Sequence, residues 1–128
     1  MQKKFNILLV DDEQDFLDPI AFWLESKKYV VRTASNGEEA IKLIKNEIPN
    51  IILLDINMPV MNGIDTLKHI RENHADLPVI MITGEIEKLP ILQELGISGF
   101  FPKEGTLEQL EQLLEPIIRI HSKMTSSS

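Results

Sequence analysis

Short apolar runs alternate along the chain with stretches in which apolar residues recur every three or four positions. Phe5 to Val10, Tyr29 to Thr33, Ile51 to Leu54, Val79 to Ile82 and Gly99 to Phe101 are compact, rich in β-branched or aromatic residues and bounded by turn formers, which predicts five strands. The intervening stretches 14–27, 37–46, 62–73, 86–95 and 106–121 predict five helices. In the second of these, "SNGEEAIKLIK" opens on cap-type residues and sets Ala40, Ile41 and Ile44 on one face. In the last, Leu107, Leu110, Leu114, Ile117 and Ile118 mark an inner stripe that Leu113 and Ile120 widen. Pro19, Pro90 and Pro116 fall inside these helical stretches, so a bend or a later helix start is expected at each.

Strict alternation of strand and helix, with near-continuous apolar strands, predicts an α/β fold: a doubly wound parallel sheet covered on both faces by helices. In such sheets ligands gather beyond the carboxyl ends of the strands, where the strand order reverses. Sequence position thereby becomes a forecast of function.

Composition narrows the chemistry. The 128 residues are 43% hydrophobic, enough for one domain with a core of its own, expected over 1–121; "KMTSSS" leaves 122–128 as a disordered tail, a linker stub or an expression remnant. The chain has no cysteine, which excludes thiol redox chemistry and thiolate metal ligation. A net charge of -7 argues against binding a nucleic-acid backbone. No run is long enough to span a bilayer and the N-terminus lacks a signal-peptide layout, so the expected setting is the cytoplasm, without a membrane partner.

The residues just past the strands carry the chemistry: Asp11 and Asp12 after the first, Asp55 after the third, Thr83 after the fourth and Lys103 after the fifth. With strand order 2-1-3-4-5, the first and third strands flank the switch point, and three carboxylates, a hydroxyl and an ammonium converge on one rim. Two unit charges about 4 Å apart at an effective dielectric near 20 interact by about 4 kcal/mol, so the carboxylates repel strongly unless something offsets them. A hard divalent cation does so, and Mg²⁺ suits a partly solvated aspartate rim that leaves room for waters and phosphate oxygens. One carboxylate is then free to act as a nucleophile and form an acyl phosphate, with metal and ammonium neutralising the transferred charge. Asp55, at the tip of a buried strand, is the natural acceptor; Lys103 is the counter-charge, and Thr83 can donate its hydroxyl to a phosphoryl oxygen.

In order, "LLVDDE", "IILLDINMPVMNG", "VIMITG" and "GFFPK" each close a predicted strand, and together they resemble the receiver domain of two-component response regulators from Phe5 to about Ile120. The resemblance implies the flavodoxin-like receiver fold, with five strands in order 2-1-3-4-5 and five helices. It implies Asp55 as phosphoacceptor, Asp12 as a direct Mg²⁺ ligand, Asp11 acting mostly through water, and Asn57 offering its backbone carbonyl to the metal. Thr83 and Lys103 match the phosphoryl-gripping pair, Phe100 the aromatic switch, and Met58, Pro59 and Gly63 the loop after the acceptor. The implied partners are a sensor histidine kinase or a histidine phosphotransfer protein, and downstream an effector protein, an output domain beyond this chain, or a second copy in a phosphorylation-dependent homodimer. The implied output surface is the fourth helix, fifth strand and fifth helix.

Two departures stand out. The family usually places proline directly after the lysine; here Glu104 follows and Pro102 precedes, which predicts a rerouted loop. The stretch from Thr83 to Lys103 is short and contains "KLPIL", which predicts a short or displaced fourth helix.

Simpler readings compete at single residues: Asp11 and Asp12 as helix caps, Thr83 as a strand-end cap, Phe100 as core. Only their common register with Asp55 and Lys103 raises them together. Met58, Met61 and Met81 read as packing, Trp23 as filling a helix–sheet contact, and His69, His74 and His121 lack ligand spacing. Two other classes share parts of the pattern. An aspartate-nucleophile phosphohydrolase needs an acid two residues after the nucleophile, where this chain has Asn57. A receiver-like interaction module that no longer takes phosphate would have little use for the full acidic set, although the loop at Glu104 departs from the family.

Overall fold

The computed structural model describes residues 5–126. Five strands, β1 (Asn6–Val10), β2 (Val30–Ala34), β3 (Ile51–Asp55), β4 (Val79–Ile82) and β5 (Gly99–Phe101), form one parallel sheet in the order β2-β1-β3-β4-β5. The helices are α1 (Gln14–Ser26), α2 (Gly37–Asn46), α3 (Gly63–Asn73), α4 (Leu89–Leu95) and α5 (Leu107–Ser126). The expected topology is the observed one.

Alternate residues of the strands face opposite layers. Leu8, Val10, Ile52, Leu54, Val79 and Met81 point toward α2, α3 and α4, meeting Ala40, Ile44, Leu67, Ile70 and Leu92. Ile7, Leu9, Ile51, Leu53, Ile80 and Ile82 point the other way, against Leu17, Ile20 and Leu24 of α1 and Leu110 and Leu114 of α5. Every residue of β3 is buried, as expected of a central strand covered on both faces. At about 1.5 to 3 kcal/mol for each large aliphatic side chain removed from water, these two layers supply the main driving force for folding.

Local chemistry explains most of the boundaries. Asn36 and Asn62 cap α2 and α3, their side-chain oxygens accepting the N–H groups of Glu39 and Asp65 at 2.8 and 2.9 Å. Arg32 closes the other end of α2, donating to the carbonyls of Leu43 and Glu47. Pro90 sits in the first turn of α4, after a 3-10 turn at Ile86–Lys88, so this helix starts later than its apolar pattern at 86 and is short. Pro19 and Pro116 do lie inside helices.

The last helix departs from expectation in two ways. It continues to Ser126, past the expected end at 121, so 122–126 are helical rather than an irregular tail; residues 127 and 128 lie outside the described residues. Its stripe is also narrower: Leu110 and Leu114 are buried, Leu113, Ile117 and Ile118 pack at the edge, and Leu107 and Ile120 are exposed. Trp23 is half-buried and lines a cleft between α1 and α5 rather than filling a helix–sheet contact, with Lys27 over its ring and paired to Glu111. Among the described residues no helix is long and apolar enough to cross a membrane.

Candidate functional site

Parallel pairing brings the C-terminal ends of β1, β3, β4 and β5 to one rim. Val10 of β1 pairs with Leu54 of β3, and Asp55 with Ile82 of β4, so the residues that follow these strands become neighbours. Asp55 is the last residue of β3 rather than the first beyond it, and is 3% exposed. Asp11 is wholly buried, while Asp12 beside it faces solvent. One carboxylate oxygen from each of Asp11, Asp12 and Asp55 lies within 4.8 Å of the others.

Lys103 enters this group from the turn after β5. Its Nζ lies 3.3 Å from Asp11 Oδ2 and 3.7 Å from Asp55 Oδ2, makes an ion pair with Glu13, and sits over the Phe16 ring. The lysine reaches the rim with Glu104 after it: Gly105 N–H donates to the Pro102 carbonyl at 2.8 Å, closing a tight turn, and all described peptide bonds are trans. Thr83 is buried, and its hydroxyl oxygen accepts the Glu85 N–H at 2.8 Å, leaving the hydroxyl proton for another acceptor. Asn57 is exposed, and its side-chain amide donates to Glu85 across the mouth of the site at 3.2 Å. Phe100 is half-buried on β5, whereas the next residue, Phe101, is core.

The loop from Asp55 to α3 is held by close backbone packing. Gly63 N–H donates to the Ile56 carbonyl at 2.7 Å, and a Cβ at this glycine would sit 2.1 Å from the Asp55 carbonyl oxygen. Gly37 N–H donates to the Met61 carbonyl, tying the loop to the start of α2.

The electrostatics follow from crowding. Burial, then the neighbouring Asp11, pushes the Asp55 carboxyl up to about 7, against the pull of Lys103. Burial likewise raises Asp11, although the Glu13 N–H donates to its Oδ1 at 2.9 Å. Burial pulls Lys103 down, but Glu13, Asp55 and Asp11 outweigh it and hold the ammonium charged. Among the described residues Asp11 Oδ2 and Asp55 Oδ2 are buried without a hydrogen bond. Two orphaned carboxylate oxygens beside a third exposed one form an all-oxygen donor set that fits a hard divalent cation of the Mg²⁺ type.

Asp11, Asp12, Asp55, Asn57, Thr83 and Lys103 come to one end of the sheet, whereas Phe100 lies within β5, paired with Met81 of β4. Glu13 and Glu85 were not expected at the site. Glu13 directly follows the aspartate pair and occupies the N-cap of α1, a position that favours shorter side chains; that mismatch was the available signal. Glu85 had none, because its role depends on the path of the turn after β4.

Comparison with known proteins agrees with this geometry. Residues 7–115 match the model of the response regulator receiver domain. The chain is 34% identical over 121 residues to the alkaline phosphatase synthesis transcriptional regulatory protein PhoP of Bacillus subtilis, covering 93% of this chain and 50% of that protein. It is 33% identical over 123 residues to the response regulator SaeR of Staphylococcus aureus, covering 91% and 53%. The chain thus spans about half the length of the curated relatives it matches. Among solved structures, the chemotaxis protein CheY4 of Vibrio cholerae superimposes with a TM-score of 0.84 at 28% identity, covering 90% of this chain and 99% of that one. NtrX of Brucella abortus gives 0.86 at 29% identity, covering 98% of this chain and 29% of that one.

Proposed function

The chain belongs to the response regulator receiver domain family, and from that premise we propose that it is a phosphorylation switch whose acceptor is Asp55. The observation that carries the proposal is the buried, hydrogen-bond-deficient Asp55 Oδ2 at the strand tip, with two further carboxylates and an ammonium around it. Such a group is costly in isolation and becomes useful when an incoming electrophile and a cation share it.

In the reaction proposed, an Asp55 carboxylate oxygen attacks the phosphorus of a donor. The new O–P bond forms as the bond to the donor's leaving group breaks, and the electron pair departs with that group, a histidine imidazole or an acetate. Asp12, Asp11, Asp55 and the Asn57 carbonyl would hold Mg²⁺, which when bound supplies charge neutralisation at the phosphoryl oxygens. Lys103 moves its ammonium toward the transferred group, and Thr83 turns its hydroxyl proton to one of the oxygens. Phe100 then occupies the space the threonine leaves, changing the surface of α4, β5 and α5.

The proposed partners are a sensor histidine kinase or phosphotransfer protein upstream, in the cytoplasm, and an effector, an output domain or a second copy downstream. The relatives in Bacillus and Staphylococcus are about twice the length of this chain and are named as regulators, which favours an output carried by another domain or protein.

Incubation with acetyl phosphate and Mg²⁺, read by intact mass, is expected to add one phosphoryl group to the wild type and none to Asp55→Asn. Equal labelling of both proteins refutes the assignment.

A further inference from the structure

The glutamate after the aspartate pair has no task in the scheme above. Glu13 stands at the N-cap of α1, yet its side chain makes no capping hydrogen bond. Serine, asparagine and aspartate serve that position better, because a side chain one methylene longer overshoots the first-turn N–H groups. Instead, the carboxylate is turned to the Lys103 ammonium. Four groups surround that ammonium: Glu13 on the solvent side, the Phe16 ring at 5.3 Å, buried Asp11 at 3.3 Å and Asp55 at 3.7 Å. The contact to Asp55 is the longest of the three ion pairs, and Asp55 Oδ2 is left without a hydrogen bond.

We propose that Glu13 is a positioning residue that holds Lys103 at the outer edge of the site and, by competing with Asp55 for its ammonium, sets how readily Asp55 accepts a phosphoryl group. The inference rests on the reading of Asp55 as acceptor. Before phosphorylation the lysine is shared between the rim and the floor. Afterwards the phosphoryl oxygens, carrying more charge than Asp55 alone, draw it inward, and the Glu13 pair must break. Because the Glu13 side chain is 61% exposed and Lys103 24%, the pair is a weak restraint, one that tunes the switch without locking it.

The test compares wild type, Glu13→Gln, Asp15→Asn and Asp55→Asn, using the rate of labelling by acetyl phosphate with Mg²⁺ and the affinity for beryllium fluoride as a phosphoryl mimic. Asp15 is another exposed acid in the first turn of α1 and controls for a general loss of negative charge. Glu13→Gln keeps the shape and, since no cap is lost, keeps the fold. It is expected to label and to bind beryllium fluoride about two- to fivefold better than wild type, the range for an ion pair with an exposed partner. Asp15→Asn should lie near wild type. The advantage of Glu13→Gln should shrink toward unity as salt approaches 1 M, where the screening length falls to about 3 Å and the wild-type pair is itself weakened. Unchanged labelling and affinity in Glu13→Gln, an equal gain in Asp15→Asn, or a gain indifferent to salt each overturns the inference while leaving Asp55 as acceptor. Absence of label in wild type, or equal label in Asp55→Asn, overturns both.

Discussion

Replacing Asp55 with asparagine in the metal-free protein is expected to stabilise it, and more so as the pH rises. The folded carboxyl titrates at about 7, against an ordinary 3.8, because burial and Asp11 disfavour its charge. Between those two values the folded state keeps a proton that the unfolded chain has released, so stability falls as pH rises through this window. Above it the loss is complete. At about 1.36 kcal/mol per pH unit it comes to about 4 kcal/mol. Asparagine has no charge to desolvate, although Lys103 loses one of its partners. The expected gain is therefore about 1 to 2 kcal/mol at pH 5 and about 2 to 4 kcal/mol at pH 8. Urea unfolding in the presence of a chelator, followed by the fluorescence of the single tryptophan, Trp23, measures it directly. With an m-value of about 1 to 3 kcal/mol per molar, the midpoint at pH 8 should rise by about 1 M or more. A variant no more stable than wild type at pH 8, or a gain that does not change between pH 5 and pH 8, refutes the claim that Asp55 is held ionised at a cost.

Further outcomes follow from the same geometry. Mg²⁺ in the millimolar range should raise the melting temperature of wild type and much less that of Asp12→Ala, because binding to the folded state alone stabilises it; equal shifts in both count against the site. Gly63→Ala places a Cβ 2.1 Å from the Asp55 carbonyl oxygen, so thermal melts should show a loss of about 2 kcal/mol or more, and acetyl phosphate labelling should fall as the Asp55 backbone shifts. Asn36→Ala removes the cap of α2 without touching the site; a loss of about 1 kcal/mol in urea unfolding with unchanged labelling is expected.

The strand order and the two-sided core could be read from the sequence because both rest on period and alternation. β3 is apolar at Ile51, Ile52, Leu53 and Leu54, a pattern that suits a parallel strand covered on both faces, and its neighbours follow from right-handed crossovers. Boundaries were less legible where a local rule competed with the pattern. Ile86 belongs to the apolar periodicity of the fourth helix, but Pro90 is best accommodated in a first turn, so α4 begins at Leu89. Leu107 fits the stripe of α5 yet is exposed at the first position of the helix. The helical run through Ser126 had no apolar signal to announce it.

The site divides along the same line. Asp11, Asp12, Asp55, Thr83 and Lys103 could be placed because each lies at the carboxyl end of a strand or within two residues of it, and a parallel sheet turns that position into a shared rim. Which of them pair could not be placed, since pairing depends on side-chain reach across turns. Two aspartates adjacent in sequence end in opposite environments, Asp11 wholly buried against Lys103 and Asp12 in solvent, because consecutive residues leaving β1 point to opposite sides of the chain. That division is the physical basis for two roles in one acidic pair. In the switch proposed above, the buried carboxylate would hold the ammonium near Asp55, while the exposed one would be free to exchange water for a cation. A switch of this kind needs both, since a site that bound its counter-charges rigidly would have no second arrangement for phosphorylation to favour.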